Sequence, residues 1–312
     1  MNLTLIGTDA VNATGNALDG AQGADTMAGG AGDDIYFVDH AADVVLEKTD
    51  EGMDAVYSTV NYTLDEHVEN LDLAAGAASG VGNALDNRLT GNSGANLLSG
   101  GADDDTLKGG AGNDIIHTGR GADIIAFNRG GGRDTILASA GKGNTVSMAN
   151  GIVYTDLLFT KSGNDLVLET GAKEQLTFKD WYADADHHSV ANLQIVVKGG
   201  ADYDGASANR LNNRKVAQFD FDGLAAAFDR SRIANPALTS WGLSSSLLEF
   251  YLGSSDTAAI GGDLTYQYAR NGNLSAVSLA PAQALLISPQ FGLANQNLQA
   301  ASVLQDNSPR LQ

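Results

Sequence analysis

The chain of 312 residues has no cysteine, only four prolines, 6% aromatic residues, and 18 Lys+Arg against 38 Asp+Glu. Each shortage removes a class of explanation. Without cysteine there are no disulfides, iron–sulfur clusters or thiolate zinc sites. The compartment stays open, because an exported protein held together by metal needs no disulfide. A formal charge of -20 repels nucleic acid and anionic membranes. What it attracts is cations. No apolar run is long enough to cross a bilayer, and Met1 to Asp9 lacks the basic and apolar stretches of a cleaved export signal. HExxH, GxSxG and GxxxxGK[ST] are absent as well, so no catalytic activity is expected.

Charge and glycine are concentrated in one part of the chain. Residues 1–140 carry 22 Asp+Glu and 6 Lys+Arg, a net of -16, together with 23 of the 38 glycines. All four prolines (Pro236, Pro281, Pro289, Pro309) lie in the last quarter. Three regions follow: 1–140, 141–200 and 201–312.

From Gly82 the sequence divides into nines without a gap: GNALDNRLT, GNSGANLLS, GGADDDTLK, GGAGNDIIH, TGRGADIIA. Two further units, GAQGADTMA and GGAGDDIYF, occupy residues 20–37. Position six reads Asp25, Asp34, Asn87, Asn96, Asp105, Asp114, Asp123, and position eight is Met27, Tyr36, then Leu or Ile at 89, 98, 107, 116 and 125. Glycines early in the unit allow a tight turn whose carbonyls converge. Positions seven to nine make a short strand that sends only the eighth side chain inward. Turn, strand, turn, strand returns the chain to its starting side, so residues 18 apart, such as Asp25 and Asp43, stack at about one strand spacing, roughly 4.8 Å. Carboxylates stacked that closely stay ionised only around a cation. Oxygen-only donors on a compliant turn suit calcium, which accepts six to eight oxygens in loose geometry, better than magnesium.

These units resemble the repeats-in-toxin (hemolysin-type calcium-binding) family, with consensus G-G-x-G-x-D-x-U-x. Units 29–37 and 109–117 match it closely. The resemblance implies a parallel β-roll with calcium between stacked turns, and the ligand residues expected are Asp25, Asp34, Asp43, Gly101, Asp103, Asp105, Gly110, Gly112, Asp114, Gly119, Gly121 and Asp123. Sites built on Asn87 and Asn96 should be weak or empty. Residues 38–81 lack the glycines but keep short apolar strands, and they are expected to continue the roll without metal. After Asp123 the register breaks by two residues before Asp134 and Ile136 resume the pattern.

Downstream, 141–200 reads as strands and hairpins, with Ser162-Gly163-Asn164-Asp165 as a turn signal. The stretch SGNDLVLET…LTFKDWY resembles the domain that covers the open end of such rolls. In 201–312, Phe221, Leu224, Ala225, Phe228 and Leu247, Leu248, Tyr251, Leu252 have helical spacing, and Ser278 is a plausible cap of another helix. LGSSDTAAIGGDLTYQYARNG resembles the C-terminal tails of proteins sent out by a type I secretion exporter. The expected architecture is all-β with a helical C-terminal region: a calcium-binding β-roll, a β-rich cap and a small α-helical domain. The expected role is a secreted, extracellular or cell-surface bacterial calcium-binding protein without catalysis, a matrix, adhesive or self-associating component. Repeat-like sequence starts close to Met1, which favours this reading for a complete chain, whereas a fragment favours the other. The alternative is the calcium-folding export module of a larger enzyme or toxin.

Overall fold

The computed structural model describes residues 2–4, 12–14, 17–197 and 203–255. Successive short strands alternate between two faces, so that each face is a parallel sheet built from every second strand. One sheet has twelve strands; the other face has a three-stranded and a nine-stranded sheet. Pairing in the repeat block follows the nonapeptide arithmetic: Leu89 lies beside Leu107, Leu98 beside Ile116, and Leu107 beside Ile125, each 18 residues apart.

The core is thin because only one inward position per unit supplies it. Leu18, Tyr36, Val56, Leu71, Leu89, Leu107, Ile125 and Val146 stack in register as a buried column in the larger sheet. Leu98, Ile116, Ile136 and Phe178 do so opposite. The spacer keeps the winding while breaking the period. Val56 follows Tyr36 at 20 residues and Leu71 follows Val56 at 15.

Parallel stacking passes the expected boundary near 140. Asn144–Ala149 pairs with Ile124–Asn128, and Gln175–Phe178 with Arg133–Ile136. The cap then finishes both faces with antiparallel strands. The hairpin of Leu158–Ser162 and Asp165–Glu169 forms as the turn signal predicts, and Val216–Asp220 adds to Val190–Val196, carrying the sheet across residue 200. The two-residue break after Asp123 forms a loop around Gly130 and Gly131. Its Arg129 reaches the cap, donating to the carbonyls of Thr170 at 2.6 Å and Gly151 at 3.0 Å and pairing with Asp156 and Glu174.

The single α-helix among the described residues, Phe221–Ala234, begins at Asp220, whose side chain accepts the Gly223 N–H at 2.8 Å, and ends just before Asn235-Pro236. Its Phe221 sits 4.8 Å from Phe178 and 5.5 Å from Trp181, ring to ring, locking helix to cap. The second predicted helix is absent. Residues 244–250 are turns, and Tyr251–Ser255 is a strand on the edge left by Val216–Asp220. Pairing that edge outweighs a weak local helical preference. The Ser278 helix and the bulk of the tail segment lie outside the described residues.

Candidate metal centre

Each position-six residue closes a turn, and stacking lines these residues up in two columns. Along the larger sheet the column is Asp34, Asp54, Glu69, Asn87, Asp105, Asp123 and Asn144. On the other face it holds Asp25 and Asp43, then Asn96, Asp114 and Asp134. Oδ1 of Asp105, Asp114, Asp123 and Asp134 accepts the main-chain N–H of the residue one turn earlier. The distances are 3.0 Å from Asp105 to Asp123, 2.8 Å from Asn87 to Asp105, 2.8 Å from Asn96 to Asp114 and 3.0 Å from Asp114 to Asp134. Position five works in the opposite direction. Asp86 accepts from Asp104 N–H at 2.9 Å, Asp104 from Ala122 at 2.7 Å and Asn113 from Arg133 at 3.1 Å. Adjacent acids thus tie each turn to both neighbours.

The second oxygen has no such engagement. Oδ2 of Asp54, Asp105, Asp114 and Asp123 is buried without a hydrogen-bond partner. A methyl group added at Gly100 would collide with Oδ2 of Asp105 and the Thr118 carbonyl, and one at Gly109 with Oδ2 of Asp114. A methyl group at Gly119 (φ +105°) or Gly121 (φ +123°) would likewise strike the Gly101 or Asp103 carbonyl. Every such turn offers carboxylate and carbonyl oxygens to a gap that only glycine can line. Burial pushes the carboxyls upward. Asp105 reaches about 9, through desolvation first and then the charge of Asp123 among others. Asp134 reaches about 8, and Asp114 and Asp123 about 6, again through desolvation. Such groups are held by a proton or a cation. The all-oxygen donor set fits calcium.

Of the expected ligand residues, Asp25, Asp34, Asp105, Asp114 and Asp123 are buried in the columns, and Gly101, Gly110, Gly112, Gly119 and Gly121 have positive φ, Gly101 and Gly119 at strand ends. Two are placed differently. Asp43 has Oδ1 on Asp25 N–H and Oδ2 on the N–H groups of Asp39 and His40, so backbone donors engage both oxygens. Asp103, at φ +64°, exposes its side chain and turns only its carbonyl toward Gly121.

The asparagines explain themselves. Asn83 Nδ2 donates to the carbonyls of Asp65 and Val68, both at 2.7 Å, and Asn92 Nδ2 to those of Ala74 and Ala77, both at 2.8 Å. Asn87 and Asn96 add donors to the same turns, on Val68, Glu69 and Ala77. Amide hydrogens supply the positive end that carbonyls otherwise receive from a cation. Sequence reasoning missed Asp54 and Glu69, which continue the column through the spacer and are pushed up by burial to about 8 and about 7. Their signal was an acid directly before a strand, hidden by the irregular period.

Parallel winding, stacked Asp columns and glycine-lined oxygen gaps define a calcium-type β-roll. The chain carries the RTX calcium-binding nonapeptide repeat, whose pattern matches residues 12–44, 81–116 and 90–125. It is also 38% identical over 69 residues to the endo-1,3-1,4-beta-glycanase ExsH of Rhizobium meliloti (strain 1021), a stretch covering 22% of this chain and 15% of that protein. The chain therefore spans only a small part of that relative's length. No helix among the described residues is long and apolar enough to cross a membrane.

Proposed function

We propose that the chain is a secreted calcium-binding repeat protein that folds on meeting extracellular calcium and acts without catalysis, as a surface, matrix or adhesive component. The observation that supports this best is the set of buried, partnerless Oδ2 atoms on Asp105 and Asp123 in one column and Asp114 in the other. In the low calcium of a cytosol these oxygens have no counter-ion, and one inward side chain per unit cannot offset ordering a nonapeptide. A cation that binds the folded turns alone drives the equilibrium by mass action. Residues 256–312 are proposed to carry the address for a type I exporter. The match to part of a glycanase favours a second reading, in which this is the calcium-folding export module of a larger enzyme.

Circular dichroism with calcium and with chelator tests the first claim. A β-rich spectrum indifferent to chelation at neutral pH overturns it. Deleting 256–312 is expected to stop export while leaving calcium-induced folding in vitro unchanged. Efficient export of the shortened chain refutes the address.

A further inference from the structure

We infer that the spacer supplies a second kind of metal site, in which Asp34, Glu47 and Asp54 together hold one hard divalent cation of the calcium class. The inference rests on the calcium reading only for the choice of ion. One carboxylate oxygen from each residue lies within 4.8 Å of the other two. They come from three places in the winding. Asp34 closes the turn of the repeat unit 29–37, Asp54 follows it one turn later in the column, and Glu47 follows the strand Val44–Val45 of the opposite sheet. No nonapeptide unit of this chain has a glutamate in such a place.

Two further observations point to a ligand. Asp54 is only 1% exposed; its Oδ1 takes the Asp34 N–H at 2.8 Å, and its Oδ2 is buried without a partner. Glu47 shows the same division: Oε1 takes the Tyr36 hydroxyl, while Oε2 is buried and partnerless. The neighbouring Lys48 does not neutralise the group, because its ammonium pairs with Glu51 at the surface. Three carboxyls so placed stay ionised together only around a cation.

Tyr36 accounts for the position of Glu47. It is the one aromatic residue at position eight among the seven units, where the others have Met27, Leu89, Leu98, Leu107, Ile116 and Ile125. Its ring joins the core column at 0% exposure, and its hydroxyl extends into the turn, accepting the Gly29 N–H at 2.7 Å and donating to Glu47. A methyl group on Gly29 would strike both this hydroxyl and Oδ2 of Asp34, so the gap is lined by glycine as in the nonapeptide turns. An aliphatic residue at 36 would leave Glu47 unheld.

The phenol also provides the readout. Terbium replaces calcium at oxygen sites and emits when a nearby excited tyrosine transfers energy to it. Position eight in units 82–126 has no aromatic residue, so the part of the tyrosine-sensitised emission that depends on Tyr36 separates this site from those. Full-length protein titrated with terbium is expected to give saturable emission that calcium competes away. Tyr36→Phe, with every carboxylate intact, should lose most of that emission. Glu47→Gln should weaken terbium there by about tenfold or more, since affinity follows ligand charge, and should lower calcium bound at saturation by about one ion per chain. Asp105→Asn should leave the emission unchanged. Glu47→Gln protein with wild-type emission and wild-type calcium uptake overturns the site, as does emission lost in Asp105→Asn but kept in Tyr36→Phe. Failure of the nonapeptide reading looks different: Tyr36-dependent emission would persist while Asp105→Asn left calcium uptake untouched. If Glu47→Gln does not fold, Tyr36→Phe still decides, because emission indifferent to that change places no metal beside Tyr36.

Discussion

Asp123 receives the Asp105 N–H on Oδ1 at 3.0 Å, and both residues keep a buried Oδ2 without a hydrogen-bond partner. One oxygen of Asp123 therefore sets the turn spacing while the other is left for a cation. The two tasks are separable by substitution.

Asp105→Asn or Asp123→Asn keeps the acceptor and removes the charge, so calcium bound per chain should fall. Asn87→Ala should do the reverse. It removes donors from the Val68 and Glu69 carbonyls, costing about 1–3 kcal/mol of stability in the calcium-loaded protein with calcium uptake unchanged. Calorimetric titration and denaturant unfolding read the two effects. Equal calcium loss in Asn87→Ala and Asp105→Asn would show that amides also ligate.

Acidity should substitute for calcium in the chelated protein. Asp105 is raised to about 9, Asp134 to about 8 and Asp54 to about 8, against an unfolded value of about 3.9. A carboxyl whose folded value is raised stabilises the fold fully below its unfolded value and loses that contribution as pH climbs through the folded one. With chelator, β-structure is expected near pH 4 and should fade toward pH 8–9. With calcium the trend inverts, since the metal needs the ionised form. A chelated protein equally folded at both ends contradicts this.

Glycine position should matter more than glycine number. Gly100→Ala places a methyl on Asp105 Oδ2 and the Thr118 carbonyl, and should abolish calcium binding in that turn. Gly130→Ala meets nothing within 4 Å at φ +91°, so it should cost only the left-handed strain, roughly 1–2 kcal/mol. Comparable calcium titrations for the two variants would refute the glycine-lined gap.

Arg129→Ala should loosen the cap. The guanidinium joins the loop after the last repeat to Gly151, Asp156, Thr170 and Glu174. Hydrogen exchange is expected to quicken across 151–175 while the turns of 82–126 stay protected. Uniform exchange across roll and cap would mean that the clasp is dispensable.

The repeat block was legible because its period is regular from Gly82 onward, which determines register, inward residues and acid columns together. The spacer was not. Its steps of 20 and 15 residues from Tyr36 to Val56 to Leu71 hide Asp54 and Glu69 from any count in nines, and Glu47 reaches its neighbours only through the opposite sheet. The expectation of a metal-free spacer came from its missing glycines; the proposed site there borrows Gly29 and Asp34 from the preceding repeat unit. The helix read at 247–252 failed for another reason. Leu247 is fully buried but Leu248 is 59% exposed, so the shared spacing reflected no common face, and the strand edge beyond it decided the conformation.

The asparagine-held turns at 82–99 separate two acidic stretches that would otherwise form one continuous ladder. In a solenoid each turn feels only its neighbours. A segment held by amides needs no ion of its own, so ion loss from one acidic stretch is expected to stop there instead of running the length of the roll.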